Sequence, residues 1–356
     1  MQRRTFRVGD DPATLPGAVL CRDLTLASVR PSVTIRRGTP LVEAIERLPA
    51  GVDEVTFEVV VPGPGDVAQP DASLALARGL VGPGIDLEGP HQGQVNLHAA
   101  GFGLLRVDAR AVERVNRTGA ALVATALDGR VVTAGETVGI VKAPALYMPE
   151  RAIQRALARA RRGPLARVAP FVAERVAMLA GTRIRPANLR VAERQMAATL
   201  ERFGARLIEV RHLDADEPAG ITTAYRELLA AGAEVVLVAG SIVLDPADPF
   251  ITALRGTGGR LVRRGAPVDP GTMFWVAYAG DVPFLGLASC ELYGRTSVLD
   301  LLLPYALAKE PIDRRLMAEI GYGGLLVTTQ VARRPDDWDR EPEREAPADA
   351  PATAHS

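Results

Sequence analysis

Apolar and polar positions follow two different rhythms in the two halves of this chain. Before Pro149 they alternate in short pieces, Thr5–Val8, Ala18–Ser28, Val33–Arg36 and Glu54–Val61, broken by proline and glycine. Alternation of that kind predicts short half-buried strands, so the first half reads as a small β-rich fold. Helices are predicted near Leu41–Leu48 and Asp71–Arg78. Gly82, Gly84, Gly89 and Gly93 read as a long irregular connection, followed by a strand at Ala99–Asp108 and a helix at Ala109–Asn116. Asp128-Gly129 is a strong turn pair, which predicts a hairpin of Ala120–Leu127 with Val131–Val132 and a return strand at Val138–Val141. An Ala- and Arg-rich helix from Pro149 to Arg162, stopped by Gly163-Pro164, carries the chain to a domain boundary.

Beyond it, strands alternate with long helices. Val172–Leu179 and Ala205–Val210 read as strands, and Asn188–Phe203 and Gly220–Ala231 as helices. Then comes the continuous run Val235-Val236-Leu237-Val238-Ala239. A β-branched run without alternation describes a strand covered on both faces. The alternation predicts an α/β domain with a doubly wound, mostly parallel sheet, completed by Gly258–Arg264, a hairpin of Thr272–Tyr278 with Val282–Gly286, and a helix at Val298–Ala308. The expected organisation is a β-rich domain over 1–164, the α/β domain over 165–332 and a disordered tail over 333–356, where Pro, Asp, Glu and Arg replace apolar residues.

Composition narrows the function. With 42 basic and 42 acidic residues among 356, nothing in the balance favours nucleic acid. The apolar runs are strand-length, so no membrane helix is expected, and no apolar segment follows the basic N-terminus as in a signal peptide. Cys21 and Cys290 are the only cysteines and imply no disulfide framework. Together these features predict a cytoplasmic protein. Gly-x-Gly-x-x-Gly after a strand, Gly-x-x-x-x-Gly-Lys-Ser/Thr, His-Glu-x-x-His and Cys-x-x-Cys are all missing from the sequence, which argues against dinucleotide dehydrogenases, P-loop NTPases and common metal motifs. Glu88, His91 and His98 lie close in sequence, but their spacing matches no metal signature.

Four features at predicted strand ends of the second domain carry candidate chemistry. They are Gly181 and Thr182, then Gly240 and Ser241 with Asp245 and Asp248, then Asp269-Pro270-Gly271, and Leu287-Ala288-Ser289-Cys290. In open α/β sheets ligands bind at such strand ends. Small residues admit a ligand to backbone N–H groups, hydroxyls suit phosphate oxygens, and two acids beside a phosphate can hold Mg²⁺. The structural alternatives stand beside these: turn glycines at Gly181 and Gly240, a β-turn at Asp269-Pro270-Gly271, and a helix cap at Asp248 before Pro249.

The order strand, Gly-Thr, helix, strand, helix, then Val-Leu-Val-Ala-Gly-Ser, an Asp opening a helix, Pro267-Val268-Asp269-Pro270-Gly271, Leu285-Gly286-Leu287 with Cys290 and Gly321-Tyr322-Gly323-Gly324-Leu325-Leu326 resembles the molybdopterin-binding domain, over about 166–331. This domain occurs in molybdopterin adenylyltransferases, in molybdopterin molybdenumtransferases and in stand-alone molybdopterin-binding proteins, and the last group is the most similar. The resemblance implies that Gly240, Ser241 and Asp248 bind the pterin and its phosphate, with Gly181, Thr182, Asp269, Gly271 and Ser289 lining the site and Asp245 and Asp248 holding magnesium or acting in catalysis. It implies molybdopterin or the molybdenum cofactor as ligand, a molybdoenzyme or another cofactor-biosynthesis protein as partner, and it leaves a homo-oligomer open. The enzymes carry Gly-Gly-Thr-Gly or Gly-Gly-x-Ser where this chain has Ala239-Gly240-Ser241-Ile242, and Leu-Pro-Gly-Asn where it has Leu287-Ala288-Ser289-Cys290. These departures favour a binding protein over an active transferase; a metal-dependent nucleotide pyrophosphatase is a further alternative, since a related domain occurs there.

Overall fold

The computed structural model describes residues 1–26, 32–50, 52, 55–160, 163–292 and 294–326, with Ser289 and Cys290 described in the backbone alone. The tail from 333 that composition marks as disordered lies outside the described residues. The chain forms two compact units. The first comprises Met1–Gly101, Leu105–Asp128 and Ala134–Val168; the second comprises Phe102–Leu104, Gly129–Thr133 and the chain from Ala169 onward.

The first unit is β-rich. Thr56–Val61 pairs antiparallel with Gln2–Arg7 and Val19–Leu20, and Phe6, Leu20, Phe57 and Val59 alternate inward to meet Ile35, Leu41 and Ala44. A second antiparallel sheet runs in the order Leu122–Thr125, Thr137–Lys142, Gln94–Ala99, Ile85–His91. Two expectations are corrected here. The supposed irregular connection is a hairpin, with Ile85 opposite Ala99 and Leu87 opposite Leu97. Its alternation was legible, but glycines at the bulge and turn, Gly89 at φ +103° and Gly93 at φ +73°, masked it. Nor does Asp128-Gly129 close a hairpin: Leu122–Thr125 pairs with Thr137–Lys142, while Val131 and Val132 pair with Leu104 and Gly103. Asp128 instead accepts from the Arg106 Nε–H at 3.1 Å and the Val107 N–H at 2.7 Å, a long-range role that local turn statistics do not carry.

The second unit holds a six-stranded sheet in the order Arg206–His212, Arg175–Ala180, Val235–Ala239, Val282–Leu287, Trp275–Ala279, Arg260–Arg264. Pairings among the first four strands are parallel and the last two pairings are antiparallel, so Trp275–Ala279 alone runs against the other five and the sheet is mixed. Val235, Leu237 and Ala239 pack with Leu189, Ala192, Met196 and Leu200 of the helix Pro186–Glu201 and with the helix Val298–Leu307. Val236 and Val238 pack with Ile221, Ala224, Tyr225 and Leu228 of the helix Pro218–Ala230. Both faces of the central strand are therefore covered, which is why its sequence is apolar without alternation. No helix among the described residues is long and apolar enough to cross a membrane.

Candidate functional site

Register sets the candidate segments at one end of this sheet. Ala180, Ala239 and Leu287 stand side by side as the last residues of their parallel strands. Gly181, Gly240 and the Ala288–Cys290 segment follow them. Trp275 pairs with Gly286 and with Arg264, so Arg264 ends its strand at the same sheet end.

Gly181 and Gly240 meet. The Gly181 N–H donates to the Ala239 carbonyl at 2.9 Å. A Cβ on Gly240 would lie 3.3 Å from the Gly181 nitrogen, and Gly240 holds φ at +101°, a region that side chains rarely adopt. A Cβ on Gly181 would lie 2.5 Å from the Phe250 ring and 2.7 Å from the Asp216 carboxylate. Thr182 gives both its backbone N–H (2.9 Å) and its hydroxyl (2.7 Å) to Asp216. Asp216 was not legible as a site residue, because its partner lies across a parallel pair and its sequence context resembles a helix start at Pro218.

From Gly240 to Asp248 the loop is tied through one side chain and several backbone groups. The Trp275 indole N–H donates to Ser241 Oγ at 2.9 Å. The Asp248 Oδ2 accepts from the Ile242 N–H at 2.6 Å, and its Oδ1 accepts from the Ile251 N–H at 3.0 Å, capping the helix Pro249–Ala253. Arg264 Nη1 donates to the carbonyls of Val243 (3.2 Å) and Asp245 (2.5 Å). A charged group satisfying loop backbone contributes roughly 1.5–3 kcal/mol per hydrogen bond, so these bonds stabilise the loop conformation. Trp275 is wholly buried, and Gly286 across the ladder makes room for it: a Cβ there would lie 1.9 Å from the indole nitrogen. Sequence reasoning missed Arg264, one arginine in an arginine-rich chain, and Trp275, whose only signal was a glycine opposite it.

The two acids expected to hold magnesium both bond to backbone N–H groups. Asp248 is 2% exposed and turns both oxygens to backbone N–H groups, while Asp245 gives Oδ1 to the Ala247 N–H at 2.8 Å. Among the described residues no three His, Cys, Asp or Glu side chains gather as a metal-binding group. Likewise Glu88 and His98 bond to each other at 2.9 Å on a sheet surface of the first unit. Asp269 and Gly271 serve the fold: the Asp269 backbone bonds to Gly324 and Leu326, and Gly271 packs on Val298, where a Cβ would come within 2.5 Å. Ser289 opens the short helix Ser289–Leu292; its side chain lies outside the described residues.

Val243, Leu244 and Pro246 from the pinned loop, with Arg264, Gly265, Thr272 and Met273 facing them, line a cavity of about 660 Å³. Its lining offers a guanidinium, the Thr272 hydroxyl and apolar side chains, a donor set that suits an anionic, partly apolar ligand; Gly240 and Ser241 lie outside that lining.

No family model matches the chain, and no curated protein matches it. Solved structures do. The molybdopterin biosynthesis enzyme MoaB from Thermus thermophilus is 18% identical with a TM-score of 0.28, over 42% of this chain and 97% of that one. The molybdopterin biosynthesis Mog protein from Mycobacterium ulcerans is 14% identical with a TM-score of 0.28, over 42% and 99%. A molybdopterin biosynthesis protein from Mycobacterium abscessus is 10% identical with a TM-score of 0.28, over 42% and 97%. At these values the likeness carries no argument about function.

Proposed function

We propose that the second unit binds molybdopterin and that the protein acts in biosynthesis, maturation or delivery of the molybdenum cofactor, as a binding protein rather than a metal-dependent enzyme. The observation that carries this reading is the Gly240–Asp248 loop. It lies at the end of the central strand, its backbone is tied by Asp248 and Arg264 and its Ser241 hydroxyl by Trp275, and its Val243, Leu244 and Pro246 line a cavity. A binding site built this way loses little conformational freedom on association.

In this reading Gly240 lets the ligand approach the backbone. Ser241, whose oxygen already accepts from Trp275, keeps its own proton to donate to a phosphate oxygen. The bound cofactor would bring the molybdenum chemistry; the chain's residues bind and orient it. We favour a binding protein over a magnesium-dependent transferase or pyrophosphatase because both Asp248 oxygens and the Asp245 Oδ1 accept from backbone N–H groups. Asp248 therefore acts through the loop it holds and does not grip the pterin itself.

The test is anaerobic purification from a molybdenum-replete host, with pterin measured by fluorescence after oxidation and metal by mass spectrometry. The wild type is expected to carry pterin, and Gly240→Ala, which strains the loop against Gly181, to carry at least about tenfold less. Wild-type protein without pterin, or a variant loaded equally, would sink the reading. Pterin with molybdenum would indicate delivery of finished cofactor, and metal-free pterin an earlier biosynthetic step.

A further inference from the structure

We infer that the cavity beside Arg264 is an anion site, and that it takes an aromatic phosphate ester whose phosphate meets the guanidinium while its ring lies on Leu244, Pro246 and Met273. Three observations converge. First, no Asp or Glu lines this cavity among the described residues; Arg264 Nη1 bonds to two neutral carbonyls, and among the described residues no carboxylate pairs with its charge. Second, those carbonyls fix one nitrogen of the guanidinium, and a planar fork held on one side presents its remaining donors in a set direction, which suits phosphate. Third, the walls are apolar and open: Leu244 is 73% exposed and Met273 40% exposed, and Thr272 is also in the lining. Large apolar side chains exposed around a single cation describe a surface completed by a ligand that is apolar at one end and anionic at the other.

The inference rests on the molybdopterin reading for the ligand's identity only, and the ester class can be tested without it. The probes are phenyl phosphate, inorganic phosphate, phenol and AMP, titrated calorimetrically into the full chain. Phenyl phosphate is expected to bind saturably and more tightly than inorganic phosphate, with phenol failing to bind. Replacing Arg264 also frees the loop carbonyls, so the decisive variant is Met273→Glu. It places a carboxylate in the cavity and leaves the Arg264 bonds in place; it should weaken phenyl phosphate by at least about tenfold at unchanged melting temperature, while Met273→Leu binds as the wild type does. No saturable binding by the wild type, or equal binding by Met273→Glu, overturns the inference. AMP binding more tightly than phenyl phosphate, and lost in Met273→Glu, supports it with a nucleotide as the source of the ester. Oxyanion binding in protein that never carries pterin would leave this inference standing and remove the molybdopterin reading; pterin loading equal in Met273→Glu and wild type, without phosphate binding, would do the reverse.

Discussion

The two ends of the six-stranded sheet spend their charged side chains differently. Where the parallel strands begin, Glu234 takes Lys309 at 2.8 Å and the N–H groups of Glu174 and Arg175 at 2.9 and 3.1 Å, with the Arg175 guanidinium 3.8 Å away. The cavity at that end, about 710 Å³, is lined by Arg175, Arg260, Lys309 and Arg314 and equally by Glu234, Asp281, Glu310 and Asp313. Where the strands finish, the acids Asp248 and Asp216 are turned to backbone and hydroxyl groups, and the cavity keeps one arginine with no acid in its lining. Balanced charge joins elements at one end; at the other, the proposed anion site would use the unbalanced charge.

That contrast can be broken most sharply from the strand-finishing end. Gly286→Ala pushes a methyl into a buried indole and should destabilise the protein by about 3 kcal/mol, a drop in melting temperature accompanied by loss of ligand binding through Ser241. Next comes Asp248→Ala, which strands the N–H groups of Ile242 and Ile251 and removes a cap; about 2 kcal/mol in denaturant unfolding is expected, with binding lost as the loop loosens. A stable Asp248→Ala protein with undiminished binding would show that the loop is ordered by something else.

At the strand-starting end the expected effects are on stability alone. Burial pushes the Glu234 carboxyl up, but Lys309 and the two backbone N–H groups outweigh it and hold the group below its ordinary value of 4.5. A depressed folded value means that its contribution is complete above pH 4.5 and is lost as the pH falls through the lower folded value. Glu234→Gln should therefore cost roughly 1 kcal/mol at neutral pH, flatten the acid side of the stability profile, and leave phenyl phosphate binding untouched. A ligand-binding defect in Glu234→Gln would erase the distinction between the two ends.

Much of the second unit was legible because its signals are local. The apolar run Val235–Ala239 coincides with the observed strand, the helix predicted from Ala109 to Asn116 has those same ends in the first unit, and Asp248-Pro249 reads as cap and first helical residue from sequence alone. The loop glycines and Ser241 were also visible, since small residues after a buried strand mark its finishing end. What failed was long-range. The hairpin Ile85–Ala99 was hidden by its glycines, and Asp128-Gly129 looked like a turn because nothing local tells an aspartate that it will receive the Val107 N–H.

By itself, then, the sequence determined which segments are strands and helices in the α/β unit, through periodicity and caps, and which small residues stand at the strand ends. Only the tertiary structure decided what the charged residues do. Asp248 was legible as a cap for the Ile251 N–H, but its second oxygen's bond to the Ile242 N–H came only with the fold. Arg264 had no distinction until the ladder set it opposite Trp275 and the loop carbonyls came to it. Backbone preference is encoded within a few residues, whereas the role of a charge depends on which partners folding brings from distant parts of the chain.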